Sequence, residues 1–119
     1  MEDRRKSNRR FMLYYMPLYD AESMRQAGNL VDITPQGVMI VSEHPMVEGQ
    51  TVRMRLELTG DVANKPFMEF KARCKWCRQD ISPNLHSIGF EILDLAPGDA
   101  EIIQRIIETY GFRDNKPEK

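Results

Sequence analysis

The chain contains few of the side chains on which most redox and metal-binding proteins depend. It has two cysteines and two histidines among 119 residues. Cys74 and Cys77 are three apart in a strand-like stretch, where side chains alternate, so Cys74 should face the core and Cys77 the solvent. His44 and His86 are too few to build a typical zinc site around this pair. We therefore expect no redox pair, no metal and no cofactor.

Long apolar runs are also missing. No stretch approaches the roughly 20 apolar residues of a membrane-spanning helix. The longest, residues 11–19, follows basic residues as a signal peptide would, but it contains Tyr14, Tyr15 and Pro17 and lacks a small-residue cleavage site. We interpret it as a strand, and we predict a cytoplasmic protein without a membrane span.

The sequence lacks the motifs of common enzymes. It has no serine–histidine–aspartate arrangement, no glycine-rich phosphate loop and no motif of paired carboxylates. A net charge of −1 also argues against a general binder of polyanions. We expect a binding protein and not an enzyme.

Positive charge is concentrated at the start of the chain. Residues 1–10 hold five basic residues against two acidic ones, a local net charge of +3. A basic segment on a mildly acidic body indicates a local anion site. We interpret residues 1–10 as a flexible basic arm that orders on binding.

The rest of the chain shows the pattern of a mainly β domain. Apolar alternation and turn residues predict six strands, at residues 11–19, 28–33, 37–42, 52–58, 68–77 and 85–93. After Pro97, isoleucines recur at helical spacing as far as Tyr110. This order favours an antiparallel β-barrel or sandwich with a helical lid. We assign residues 11–112 to this body and residues 113–119 to a polar tail. On the core face we expect Met39, Met54, Met68 and Trp76.

Two short motifs carry the functional signal. In the first, Arg5 and Arg9 form the only Arg-x-x-x-Arg pair. A guanidinium binds phosphate through two hydrogen bonds, matches the O6 and N7 acceptors of guanine, and stacks on purine faces. Taken alone, such a cluster is also typical of a solvated basic tail.

The second motif is Asp32-Ile33-Thr34-Pro35-Gln36-Gly37, between two predicted strands. Asp32 can accept hydrogen bonds from guanine N1 and N2, and Thr34 offers a hydroxyl group. Gly37 should supply either a positive φ or a close backbone approach. Taken alone, the segment is also an ordinary turn.

Taken together, the two motifs and their order resemble the PilZ domain family over essentially the whole chain. The family pattern is Arg-x-x-x-Arg followed by Asp/Asn-x-Ser-x-x-Gly, which Arg5, Arg9, Asp32 and Gly37 match. Ile88-Gly89-Phe90 also resembles the last barrel strand of the family. The resemblance implies a six-stranded antiparallel split β-barrel with a C-terminal helix, which binds the bacterial second messenger cyclic di-GMP.

The resemblance also implies the binding residues. They are Arg4, Arg5, Arg9, Asp32, Thr34 and Gly37, with Arg10 as an accessory contact. An arginine at the position of Arg4 is associated in the family with a stacked pair of ligands, so two molecules per domain are expected. Ordering of the arm would then pass the signal to an unidentified effector protein. A homodimer is compatible with the sequence.

Two other hypotheses remain open at the level of sequence. Thr34 stands where the family usually has serine, and its added methyl group stiffens the side chain. This difference favours a protein-interaction adaptor with weak or no affinity for cyclic di-GMP. A weaker hypothesis is a nucleic-acid binder that uses the basic arm, which predicts binding that depends steeply on salt. We expect no nucleic-acid partner.

Overall fold

The computed structural model describes residues 10–12 and 16–113, which form eight strands and one helix. The predicted arm up to residue 9 and the tail from residue 114 lie outside the described residues. In chain order the elements are β1 (Arg10–Met12), β2 (Pro17–Asp20), β3 (Gln26–Thr34), β4 (Gly37–Ser42), β5 (Thr51–Glu57), β6 (Phe67–Gln79), β7 (His86–Asp94), α1 (Asp99–Tyr110) and β8 (Gly111–Arg113).

Six of these strands close into a barrel in the order β2-β3-β4-β7-β6-β5. All neighbouring barrel strands are antiparallel. Side chains alternate between the two faces of each strand, and the apolar ones line the inside of the barrel. In β5, Met54 and Leu56 are fully buried, whereas Arg53 and Glu57 are exposed. Because the barrel is closed, every strand in it is hydrogen-bonded to a neighbouring strand along both edges. The predicted six-stranded antiparallel barrel with a C-terminal helix is confirmed.

A β-bulge in β6 changes which side chains face the core. The pairing of β6 with β7 shifts register between Cys74 and Trp76, so Lys75 is an extra residue on the β6 side. Strict alternation predicted Trp76 inside and Cys77 outside, and both predictions are wrong because of this bulge. Trp76 lies on the outer face opposite Gly89, and Cys77 packs against the core.

Of the four remaining core predictions, three are confirmed and one is wrong. Cys74, Met54 and Met68 are buried as expected, and burial raises the pKa of the Cys74 thiol. Met39 was expected in the core, but it is half-buried and faces outward, because its neighbours in β4, Val38 and Ile40, take the inward positions.

Helix α1 closes one end of the barrel with an apolar stripe. Its buried residues include Ile102, Ile103, Ile106 and Ile107, which recur at the predicted helical spacing. The loop of residues 58–66 contacts the start of the helix: Lys65 Nζ lies 2.8 Å from the buried Asp99 carboxylate. Within the described part of the chain, no helix is long and apolar enough to cross a bilayer.

A separate two-stranded sheet joins the two ends of the described chain. β1 pairs antiparallel with β8, with Phe11 opposite Phe112. The predicted strand 11–19 is therefore two strands, β1 in this sheet and β2 in the barrel. β8 follows α1 directly, where the sequence predicted only the end of the helix and a polar tail. β1 also lies against β3, which places the end of the arm beside the strand that carries Asp32 and Thr34.

Candidate ligand-binding site

The turn between β3 and β4 is held by the side chain of Thr34. Its hydroxyl oxygen accepts hydrogen bonds from the backbone N–H groups of Gln36 and Gly37, each at 3.2 Å. The Gln36 carbonyl accepts a further bond at 2.8 Å from the backbone N–H of Ile92, on β7. The turn is thus tied to the neighbouring strand and offers a fixed backbone to a ligand.

Gly37 is required by a close approach of two backbones. A Cβ at this position would lie 2.6 Å from the carbonyl oxygen of Phe90, on the paired strand β7. Positive φ among the described glycines occurs only at Gly49 and Gly98. Of the two roles expected for Gly37, the structure therefore shows the close approach.

Asp32 faces outward beside a register shift in β3. The shift lies between Leu30 and Asp32, and the half-buried Asp32 carboxylate accepts a hydrogen bond at 2.9 Å from the backbone N–H of Ile33. A carboxylate held by the backbone in this way is oriented before any ligand arrives.

Asp32 belongs to a row of residues that crosses four strands on the outer face. The pairings set Asp32 opposite Met39, Met39 opposite Gly89, and Gly89 opposite Trp76. The Trp76 indole lies directly over Gly89, where an added Cβ would come within 2.3 Å of the ring. Glycine at position 89 is therefore what lets the indole lie flat against the sheet.

This row forms the floor of a shallow depression of about 260 Å³. Its lining includes Asp32, Thr34 and Gly37 of the turn motif, together with Trp76 and Lys75 of β6. An aromatic face, a carboxylate and a nearby ammonium group suit a planar ligand that has hydrogen-bond donors on its edge and carries negative charge.

Basic side chains lie on the β6 side of the depression. Arg73 and Lys75 approach the Glu91 carboxylate at 3.0 and 3.8 Å. The hydrogen bond from Arg73, with the positive charges of both residues, lowers the pKa of Glu91. The guanidinium of Arg78 lies 4.7 Å from the centre of the Trp76 ring, on the side of the row away from Glu91. Because its pKa is lowered, Glu91 is ionised at neutral pH, and its negative charge offsets part of the positive charge of Arg73 and Lys75.

The structure brings together three of the predicted site residues, Asp32, Thr34 and Gly37. Arg4, Arg5 and Arg9 lie outside the described residues, and Arg10 begins β1. Sequence reasoning missed Trp76. The usable signal was that Gly89 lies in the predicted strand that follows, along the chain, the one carrying the only tryptophan.

Comparison with known proteins places the chain in a family. A family model described as "PilZ domain" matches residues 3–109. The chain belongs to the PilZ domain family. PilZ domains are receptor and adaptor domains and not enzymes. The matched range includes the arginine motif, the turn motif and nearly all of α1.

Solved structures show the same fold at low sequence identity. The Bacillus subtilis inhibitor of motility, MotI/DgrA, superposes with a TM-score of 0.66 at 17% identity, covering 91% of this chain and 55% of that one. This PilZ chain thus spans about half of that protein. The PilZ domain of YcgR from Escherichia coli, solved with c-di-GMP, gives 0.61 at 15% identity and 92% coverage of both chains. No curated protein matches this chain.

Proposed function

We propose that this PilZ domain is a receptor for cyclic di-GMP, bound between the basic arm and the outer face of the barrel. The observation that carries the proposal is the depression in which the turn motif and Trp76 meet. Membership of the PilZ family supports it, as does the similarity of the fold to the YcgR domain solved with c-di-GMP.

Each part of the depression has a counterpart in the ligand. The Asp32 carboxylate would accept hydrogen bonds from the N1 and N2 groups of one guanine. A base would contact the half-buried Trp76 ring in place of the Arg78 guanidinium, which lies over it. The turn held by the Thr34 hydroxyl would present its backbone to the ligand at the edge of the depression. Base–aromatic stacking contributes about 1–3 kcal/mol per base.

The arm would supply the positive charge that the two phosphates require. Arg5 and Arg9 would bind phosphates and guanine edges, with Arg10 as an accessory contact. The pairing of β1 with β8 and its position against β3 support this arrangement, because residue 9 is bonded to the first residue of β1. In this proposal Arg4 binds a second ligand stacked on the first, giving two molecules per domain.

The bound arm would carry the signal. Held over the β3–β4 face by the ligand, residues 1–10 would change the surface that the body of the domain, residues 11–112, presents to an effector protein. We place this receptor in the bacterial cytoplasm, where a soluble second messenger would reach it.

Isothermal titration with cyclic di-GMP tests the proposal, with GTP as the ligand control. We expect a saturable isotherm with a stoichiometry near two and no response to GTP. Arg5→Ala, Arg9→Ala and Asp32→Ala should each weaken binding at least about tenfold, since a charge-assisted hydrogen bond contributes about 1.5–3 kcal/mol. Arg25→Ala is the matched control, because Arg25 is exposed in the turn at the other end of the barrel. Wild-type affinity in all three site variants would refute the site.

A second candidate function, a ligand-independent adaptor, is favoured by Thr34. The structure uses the Thr34 hydroxyl to hold the turn, and serine would keep those bonds while removing a methyl group from the depression. If the wild type does not bind cyclic di-GMP and Thr34→Ser does, the methyl group is the obstacle and the natural chain is an adaptor. Binding by the wild type as tight as that of Thr34→Ser excludes this candidate.

A further inference from the structure

The barrel end opposite α1 presents three loops close together. Because neighbouring strands are antiparallel, β2, β4 and β6 all finish at this end, and residues 21–25, 43–50 and 80–85 follow them. We call these three segments the loop end. Helix α1 follows β7, which runs the other way, so the loop end is remote from both the helix and the β3–β4 turn motif.

Exposed apolar side chains are concentrated at the loop end. Among the described side chains, four large apolar ones are exposed, and three of them lie here. They are Met24 at 43%, Val47 at 72% and Ile81 at 99% relative exposure, one from each loop. A single exposed apolar residue needs no explanation, but one on each of three adjacent loops indicates a contact surface.

Met24 adds an independent sign of function. Its φ of +61° makes it the one non-glycine residue with positive φ in the described chain. Its N–H group donates to the Asp20 carbonyl at 2.7 Å, in a turn where glycine or asparagine would be unstrained. The position therefore violates both the backbone preference and the preference for a polar surface residue. Such violations cluster at functional sites.

A groove connects the loops. It has a volume of about 360 Å³ and is lined by Gln26 beside the first loop, Glu43 and His44 of the second and Leu85 of the third. The groove is large enough to accept a side chain from another molecule, and the exposed apolar residues belong to the same loops.

The charge of the loop end defines the partner. The three segments contain the carboxylates of Glu22, Glu43, Glu48 and Asp80 and a single cation, Arg25, a local net charge of −3 in a chain of −1. A surface that is apolar at its tips and acidic around them is complementary to one that is basic and apolar. The same charge disfavours anionic membranes and loop-to-loop pairing with a second copy.

We propose that the loop end is a docking surface for a protein segment in which an arginine or lysine lies between apolar residues. The basic side chain enters the groove beside Glu43, and its apolar neighbours cover Met24, Val47 and Ile81. The surface lies at the opposite end from the proposed ligand site, so the proposal does not rest on cyclic di-GMP binding.

An NMR titration of the ¹⁵N-labelled full chain tests the proposal. The probes are an array of short peptides with one arginine between varied apolar residues, and the same array with glutamate in place of arginine. We expect arginine peptides to shift the amide signals of the loop end, and glutamate peptides to leave them unchanged. The combined variant Met24→Ser, Val47→Ser, Ile81→Ser should bind at least about tenfold more weakly, and added salt should weaken the wild-type complex.

Leu93→Ser is the control, because Leu93 is the fourth large exposed apolar residue of the described chain but lies at the other end of β7. It should bind like the wild type. The proposal is overturned if no arginine peptide binds, if both arrays bind alike, or if the shifts fall outside the loop end. Saturable binding of the loop end to phosphatidylglycerol vesicles, or a concentration-dependent dimer lost in the combined variant, would assign the surface to a membrane or to a second copy instead.

Discussion

At the scale of single residues, Gly89 and Trp76 are the pair that defines the outer face. The indole lies where the side chain of any residue other than glycine would be, so the identity of residue 89 decides the position of the tryptophan. This dependence was not predictable from alternation, because one extra residue in β6 reverses the direction of every later side chain on that strand. The turn that contains Asp32, Thr34 and Gly37, in contrast, was predictable, because turn chemistry is local.

We predict that Gly89→Ala displaces the Trp76 ring while the barrel stays folded. The new methyl group would lie 2.3 Å from the indole, and a half-buried side chain can move outward where a backbone cannot. The fluorescence of the only tryptophan in the chain should shift to longer wavelength. Affinity for cyclic di-GMP should fall about tenfold, since stacking contributes about 1–3 kcal/mol per base.

Gly60→Ala is the control for this prediction. Gly60 has open space around its Cβ direction, with no atom within 4 Å, and lies in the loop before β6. It should change neither fluorescence nor affinity. Unchanged emission in Gly89→Ala would show that the indole does not lie over residue 89.

At the scale of elements, α1 is fastened at both ends by the loop of residues 58–66. Lys65 bonds Asp99 at the first turn, and Arg105 Nη1 donates to the Val62 carbonyl at 3.0 Å in the middle. At the last turn, Tyr110 Oη donates to the Asp61 carboxylate, 2.9 and 2.7 Å from its two oxygens.

The helix itself was predictable from its isoleucines. The three-residue strands β1 and β8 were not, because segments so short have no period of their own and pair only across a long sequence separation.

The Tyr110–Asp61 contact should make stability depend on pH. Hydrogen bonds from Thr59 and Tyr110 lower the pKa of Asp61 in the folded chain. A lowered pKa stabilises the fold above the ordinary value of about 3.9, and this contribution is lost as pH falls through the folded-state pKa. Tyr110→Phe should therefore have a lower free energy of unfolding than the wild type near neutral pH. The difference should shrink below about pH 4.

Urea unfolding of both proteins across this pH range measures the effect. Tyr19→Phe is the control, because it removes a tyrosine hydroxyl from β2, outside the contact of Tyr110 with Asp61. Its difference from the wild type should not follow the titration of Asp61. A wild-type to Tyr110→Phe difference that is the same at low and neutral pH would contradict the role given to the carboxylate.

At the scale of the whole molecule, the proposed ligand site combines residues of the barrel with the arm, residues 1–10. The buried core extends from Met16 to Ile107, and every barrel strand lies within it. The alternation of apolar residues predicted the strands but left barrel and sandwich open, because closure depends on which edges meet across long sequence separations. The order of motifs, through the family resemblance, favoured the barrel.

Because all six barrel strands and the described core lie between Met16 and Ile107, we predict that deleting residues 1–9 leaves a folded barrel that does not bind cyclic di-GMP. The deletion removes Arg4, Arg5 and Arg9 but keeps β1 and its pairing with β8. The free energy of unfolding should stay close to that of the full chain, while calorimetry should show no binding at ligand concentrations that saturate the full chain. Deleting residues 114–119 is the control and should preserve affinity. If the chain without residues 1–9 still bound the ligand with wild-type affinity, the depression around Asp32 and Trp76 would be a complete site, and the arm would have no part in recognition.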